Sequence, residues 1–182
     1  MDWSSAATQQ LRFLQLLRLC DFSRPFSLND FGCGYGALLG WLRERHPDAA
    51  VDYLGIDVSR HMVETARRLW RGIPRAAFRT GRRSPREADY SVASGVFNVK
   101  LDAQREDWEA LVRGTLNDLA ATSRRGFAVN FLDLEPAHLA QAPQLYRTDP
   151  QPWVAHCEAL GWRTRLAGGY GLNEFTLLAE RG

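Results

Sequence analysis

Three glycines at alternate positions, Gly32, Gly34 and Gly36, stand between the apolar run Phe26 to Phe31 and a helix-forming stretch that begins at Ala37. Such a turn brings backbone close to a ligand with no Cβ in the way, and the helix that follows aims its positive end into the same place. Two carboxylates accompany it: Asp30, just before the glycines, and Asp57, at the end of the run YLGID. Two adenosine ligands suit this arrangement. Gly32-x-Gly34-x-x-Ala37 satisfies the dinucleotide pattern G-x-G-x-x-G/A, and Asp57 stands where a carboxylate takes the ribose hydroxyls of either ligand. Asp30 separates them, because a negative charge beside the turn repels a pyrophosphate and favours the ammonium and sulfonium of S-adenosylmethionine. The competing reading makes Asp30 a turn-forming carboxylate bonded to nearby backbone amides.

Other polar residues are spaced for chemistry. Gln9 and Arg12, three apart, share one face of a first helix, opposite part of its apolar stripe. The stretch SGVFNVK, Ser94 to Lys100, follows a strand and so falls where open α/β sheets have their crevice. Asn98 in it can orient a nucleophile but is no strong base, and it reads equally as a loop-capping amide. His138 or Asp133 could deprotonate a hydroxyl. Asp133 with Asn130 and Asn173 could hold magnesium, but the spacing is unspecific and no metal is assigned. The arginines from Arg67 to Arg86 are flanked by Glu64, Glu87 and Asp89 and have only Trp70 and Phe78 among them, which favours a solvated basic surface over a nucleic-acid site.

The elements that must position these residues alternate. A helix is expected from Ser5 to Leu19, with Leu11, Phe13, Leu14 and Leu17 as its apolar stripe and serines capping its start. Strands are expected at Phe26 to Phe31, Val51 to Asp57, Ala76 to Thr80, Tyr90 to Ala93 and in GFAVNFL, with helices at Ala37 to His46, Ser59 to Arg71, Gln104 to Thr122 and Pro152 to Leu160. Pro136 to Pro150 reads as irregular, and TRLAGGYGLNEFTLLAE as two strands joined by a short turn. The pattern predicts an α/β doubly wound, mostly parallel sheet of about seven strands with an antiparallel C-terminal hairpin.

At 182 residues, with 45% hydrophobic and 24% charged content, one domain over 1–182 is expected. The net charge of +2 points to neither nucleic acid nor membrane, the three cysteines form no C-x-x-C, and no apolar run reaches the ~20 residues of a bilayer span. The N-terminal stretch MDWSSAATQQ lacks a signal peptide's pattern, so a cytoplasmic location is expected.

The succession NDFGCGYG, YLGIDVSRHMVETAR, ADYSVASGVFNVK, a long apolar strand and a final hairpin resembles the class I, Rossmann-like, S-adenosylmethionine-dependent methyltransferases over nearly the whole chain. Trp3, Ser5, Gln9, Arg12 and Phe13 resemble a bacterial subgroup with W-x-S and Q-x-x-R-F before the glycine turn. The resemblance implies that Asp30, Gly32, Gly34 and Gly36 wrap the methionine end, Asp57 binds the ribose, and Val58 and Met62 pack on the adenine. It further implies that Ser94, Gly95 and Asn98 border the methyl group, with Asn98 as the catalytic candidate. Arg12 would pair with the cofactor carboxylate, beside Gln9 and under Trp3. After the third strand, family members often carry Gly-Asp where this chain has Gly81 and Arg82, which leaves a backbone contact to the adenine. Phe97, Asn130 and Tyr170 would line the acceptor crevice.

The implied chemistry is in-line displacement at the sulfonium methyl by an oxygen or nitrogen of a small molecule. A nicotinamide oxidoreductase is opposed by Asp30 and by the lack of a substrate domain. An RNA methyltransferase and a non-catalytic cofactor-binding module are the alternatives.

Overall fold

A computed structural model describes residues 6–134 and 142–182. Eight strands form one sheet: β1 Phe26–Phe31, β2 Val51–Asp57, β3 Ala76–Thr80, β4 Ala88–Ala93, β5 Ser123–Asp133, β6 Arg147–Thr148, β7 Arg163–Ala167 and β8 Glu174–Glu180. The helices are α1 Ala6–Leu16, continued by a 3-10 turn at Leu17–Leu19, α2 Ala37–Arg45, α3 Arg60–Leu69, α4 Arg105–Thr122 and α5 Gln151–Ala159. The order across the sheet is β3-β2-β1-β4-β5-β8-β7, with β6 added to the end of β5. Strands β1 to β6 pair in parallel, and β8 runs antiparallel to both β5 and β7. The chain reverses its direction of travel between β1 and β4, so the C-terminal ends of these two neighbours open the crevice where ligands of such sheets bind.

Alternation along the strands sorts the core into two layers. Phe127, Val129 and Phe131 of β5 pack with residues of α4 and α5, whereas Ala128 packs with residues of α1 and α2. The α1 side carries the polar positions. Asn130 shares a face with Ala128, and Glu174 and Thr176 of β8 share one with Leu178.

The structure departs from expectation in three places. The α1 stripe is rotated: Arg12, Phe13, Leu16 and Leu17 are buried, while Leu11 and Leu14 are 37% and 51% exposed. Turning Arg12 inward lets it reach a carboxylate on β8, and the two leucines give up burial in consequence. The segment read as irregular contributes β6, whose two residues pair with Leu132 and Asp133. The hairpin turn is longer than expected, spanning residues 168–173. Trp3, the serine caps and His138 lie outside the described residues.

Candidate active site

The glycine turn is held from the neighbouring strand. The amides of Gly32 and Cys33 both donate to the Ile56 carbonyl, at 2.7 and 3.1 Å, and Gly36 N–H closes the turn onto Cys33 O at 2.9 Å. All three glycines have positive φ: 75° at Gly32, 54° at Gly34 and 86° at Gly36. They differ in what surrounds them. A Cβ on Gly32 would lie 2.4 Å from Val96 Cγ2, so the loop after β4 presses directly on the turn. A Cβ on Gly36 would lie 2.4 Å from Trp70 Nε1, which donates to Tyr35 O at 2.8 Å. Gly34 alone meets nothing within 4 Å among the described residues, and this is the open side of the turn. Gly34→Ala therefore carries only the left-handed backbone cost, about 1–2 kcal/mol. Gly36→Ala adds the collision with Trp70 and is expected to lose more, by urea denaturation.

Asp57 lies beside that opening. Its Oδ2 accepts from Gly34 N–H at 2.9 Å and its Oδ1 from Ser59 N–H at 2.8 Å. Each oxygen retains a second lone pair for a ligand hydroxyl. Ser59 caps α3, with its hydroxyl accepting from Met62 N–H. Val58 is 63% exposed, Met62 is half-buried, Gly81 N–H donates to Asp57 O at 3.0 Å, and Arg82 is exposed. An apolar surface and a polar rim thus flank Asp57.

Asp30 behaves differently from its expected role. It is only 2% exposed, and its Oδ2 accepts from the Tyr53 hydroxyl at 2.5 Å, so it lies beneath the turn instead of facing a ligand. Burial, opposed by the Tyr53 hydrogen bond and reinforced by the charge of Asp57, pushes its pKa up to about 7. The backbone-amide alternative does not describe it either, because its partner is a side chain of β2.

On the other wall of the crevice, Gly95 N–H donates to Asn130 Oδ1 at 2.8 Å. Asn130 Nδ2 donates to Glu174 Oε2 at 3.1 Å, and Glu174 takes a bidentate pair from Arg12. Arg12 Nε lies 3.0 and 2.8 Å from the two carboxylate oxygens. Arg12, expected to pair with the cofactor carboxylate, forms a buried ion pair with Glu174, 7% exposed against 5% for Glu174. Gln9 remains half-buried, near Phe13 and Tyr35 in a groove between α1 and α2. Tyr170 lies on the same side, its hydroxyl 3.2 Å from Thr176 Oγ1. Burial pushes Tyr170 up to about 12, with the Thr176 bond opposing and Glu174 adding to the rise.

The loop after β4 holds two unsatisfied groups. Ser94 Oγ and Asn98 Oδ1 are buried and have no hydrogen-bond partner among the described residues. The Asn98 backbone is fixed, its carbonyl accepting from Tyr146 N–H at 2.9 Å. Phe97 requires a second correction, from crevice wall to core. Its ring is fully buried and stacked on Phe131 at 5.2 Å, and its carbonyl accepts from Trp108 Nε1. Asn130, also fully buried, serves Gly95 and Glu174 and is likewise no open wall. Sequence reading missed Glu174, Tyr53 and Trp70. Only the lone acid heading an apolar strand gave any signal for Glu174.

The glycine turn, the strand-end carboxylate and the β4 loop converge at one sheet edge, and comparison with known proteins identifies the arrangement. Residues 29–117, from β1 into α4, match the family model described as "Methyltransferase domain". Over 166 residues the chain is 42% identical to the Mycobacterium tuberculosis (strain ATCC 25618 / H37Rv) protein named "Putative methyltransferase Rv1506c", covering 91% of this chain and 99% of that one. The chain belongs to the methyltransferase family. The methyltransferase has the fold of the Synechocystis PCC 6803 magnesium protoporphyrin IX methyltransferase, solved with bound SAH. The TM-score is 0.69 at 16% identity, over 97% of this chain and 83% of that one. It also has the fold of human N-acetylserotonin methyltransferase in complex with SAM, with a TM-score of 0.67 at 19% identity. There the methyltransferase is covered in full but spans only 58% of the human chain. No helix among the described residues is long and apolar enough to cross a membrane.

Proposed function

We propose that the methyltransferase takes its methyl group from S-adenosylmethionine and transfers it to an oxygen, or alternatively a nitrogen, of a small-molecule acceptor. The observation that carries this reading is the open face of Gly34 beside Asp57, across from a β4 loop with two buried polar atoms that have no hydrogen-bond partner among the described residues. Those residues fit the donor: a turn a Cβ would not obstruct from within, a carboxylate with spare lone pairs for ribose hydroxyls, and exposed Val58 for an adenine. Orphaned polar groups are costly unless a ligand satisfies them.

Bound S-adenosylmethionine supplies a sulfonium methyl carbon that a lone pair displaces in line. The chain's work is then alignment and exclusion of water, and proximity accounts for ~7 kcal/mol or more of barrier lowering. Asn98 Oδ1 accepts a hydrogen bond from the O–H or N–H of the acceptor and turns its lone pair toward the methyl. Ser94 Oγ satisfies a second polar atom. Asp57 holds the ribose while keeping Gly34 and Ser59 in position, and Gly81, beside Arg82, offers backbone to the adenine. In this reading the chain is one domain, acts in the cytoplasm and belongs to the W-x-S, Q-x-x-R-F subgroup.

Asp57→Ala should weaken S-adenosylhomocysteine binding by roughly 1.5–3 kcal/mol, the scale of hydrogen bonds to a charged group. Isothermal titration of the folded variant measures it, and an unchanged dissociation constant would move the ribose elsewhere. The acceptor class is tested by incubating the protein with methyl-labelled S-adenosylmethionine and cell extract separated by size. Label in the low-mass fraction is expected. Label confined to RNA or protein would overturn the small-molecule reading.

A further inference from the structure

We infer that Glu174 is a positioning residue which, through Asn130, fixes the Gly95 amide and hence the loop that borders the transferred methyl group. The inference concerns a buried chain of four groups that the glycine turn and Asp57 do not involve: Arg12, Glu174, Asn130 and Gly95. It rests on the proposed function only in its link to methyl transfer.

The donor and acceptor inventory makes the chain directional. Arg12 at one end can only donate, and the Gly95 amide at the other end can only donate. Between them stand a carboxylate and a carboxamide. Asn130 must therefore turn Oδ1 to Gly95 and Nδ2 to Glu174, and the residue at 174 must accept from both Arg12 and Asn130. An ionised carboxylate accepts on both lobes and meets that demand. A carboxamide at 174 does not: with its oxygen toward Arg12, its NH2 faces the NH2 of Asn130. If Asn130 then flips, its own NH2 faces Gly95 N–H. Every arrangement leaves two donors in contact, in a place where no bulk water relieves them, since Asn130 is fully buried and Glu174 nearly so. The charge of Glu174 thus dictates the orientation of an amide on the next strand.

That orientation matters at Gly95 because its φ is 68°, a left-handed conformation that the hydrogen bond to Asn130 helps to hold. Gly95 lies between Ser94, whose hydroxyl has no partner among the described residues, and Val96, which packs on Gly32. A shift at Gly95 therefore reaches both the β4 loop and the glycine turn.

The test is a swap. In Glu174→Gln, solvent exchange of the Gly95 amide, followed by NMR, should rise about tenfold, the scale of one lost hydrogen bond, and S-adenosylhomocysteine should bind correspondingly more weakly. Combining it with Asn130→Asp restores complementarity on the Gly95 side: the Gln NH2 donates to Asp and Asp accepts from Gly95, while the Gln oxygen keeps the Arg12 bonds made to Oε1 and only the Arg12 Nε contact to Oε2 is given up. The double variant should recover slow Gly95 exchange and affinity together, which a general loss of packing would not allow. Thr176→Val, beside the chain on β8, should leave Gly95 exchange unchanged. Unchanged Gly95 exchange in folded Glu174→Gln, or a double variant no better than the single one, would overturn the inference. So would an unprotected Gly95 amide in the wild-type protein, a measurement that needs no variant to fold. Exchange reads the chain of bonds itself. If exchange responds and S-adenosylhomocysteine binds none of these proteins, it is the proposed donor that fails.

Discussion

Arg12→Met should lower unfolding stability by about 3–5 kcal/mol, because it leaves the Glu174 carboxylate buried without its counter-charge. The pair is nearly sequestered from solvent, with side-chain exposures of 8% and 4%, so screening gives little relief. Adding Glu174→Leu removes the orphaned charge but leaves the buried Asn130 Nδ2 without its acceptor, so the double variant should recover part of the loss and remain about 1–3 kcal/mol below wild type. Urea denaturation monitored by tryptophan fluorescence distinguishes these outcomes. A single variant within 1 kcal/mol of wild type would mean that the pair is hydrated in solution. The size of the expected loss marks Arg12 as part of the α1–β8 joint and explains why the helix accepts two exposed leucines to bring it there.

The second large effect is on pH. Asp30 has an ordinary pKa of 3.8 and is raised in the folded protein to about 7, chiefly by burial. Between those values the folded state holds a proton that the unfolded state has lost. Its contribution to stability is therefore complete below about pH 4 and is lost as pH rises to about 7. Asp30→Asn, which can still accept from Tyr53, removes this dependence. The stability difference between variant and wild type should shift in the variant's favour by on the order of 4 kcal/mol across that window. A difference that does not change with pH would show that Asp30 ionises normally. A cation bound near the turn favours the ionised form, so S-adenosylmethionine binding near pH 7 should release protons, detectable by titration in buffers of different ionisation enthalpy.

What the sequence made legible follows from how local each signal is. The first three strands match their predicted bounds because short apolar runs end at glycine or at a cap, as at Phe31 and at Asp57 before Ser59. The opening at Gly34 beside Asp57 was legible for the same reason, since a glycine turn and a strand-end acid are read within a few residues. Arg12 is legible as a polar residue on the first helix, but its pairing with Glu174 is not, because Glu174 lies 162 residues away and no pattern joins them. Phe97 reads as a crevice residue because its loop follows β4, where such sheets open. Its stacking on Phe131 depends on the β5 register, which sequence does not specify. Asp30 is legible as a carboxylate beside the turn, but its burial beneath it, bonded to Tyr53 of β2, is not.

The central claim is that the turn at Gly34 and the carboxylate of Asp57 hold the adenosine and methionine parts of S-adenosylmethionine. Isothermal titration of the full chain with S-adenosylmethionine, S-adenosylhomocysteine and NAD tests it most directly. The account predicts saturable one-to-one binding of the first two, weakened by Asp57→Ala, and no heat of binding with NAD. Saturable binding of NAD with no response to S-adenosylhomocysteine would contradict it.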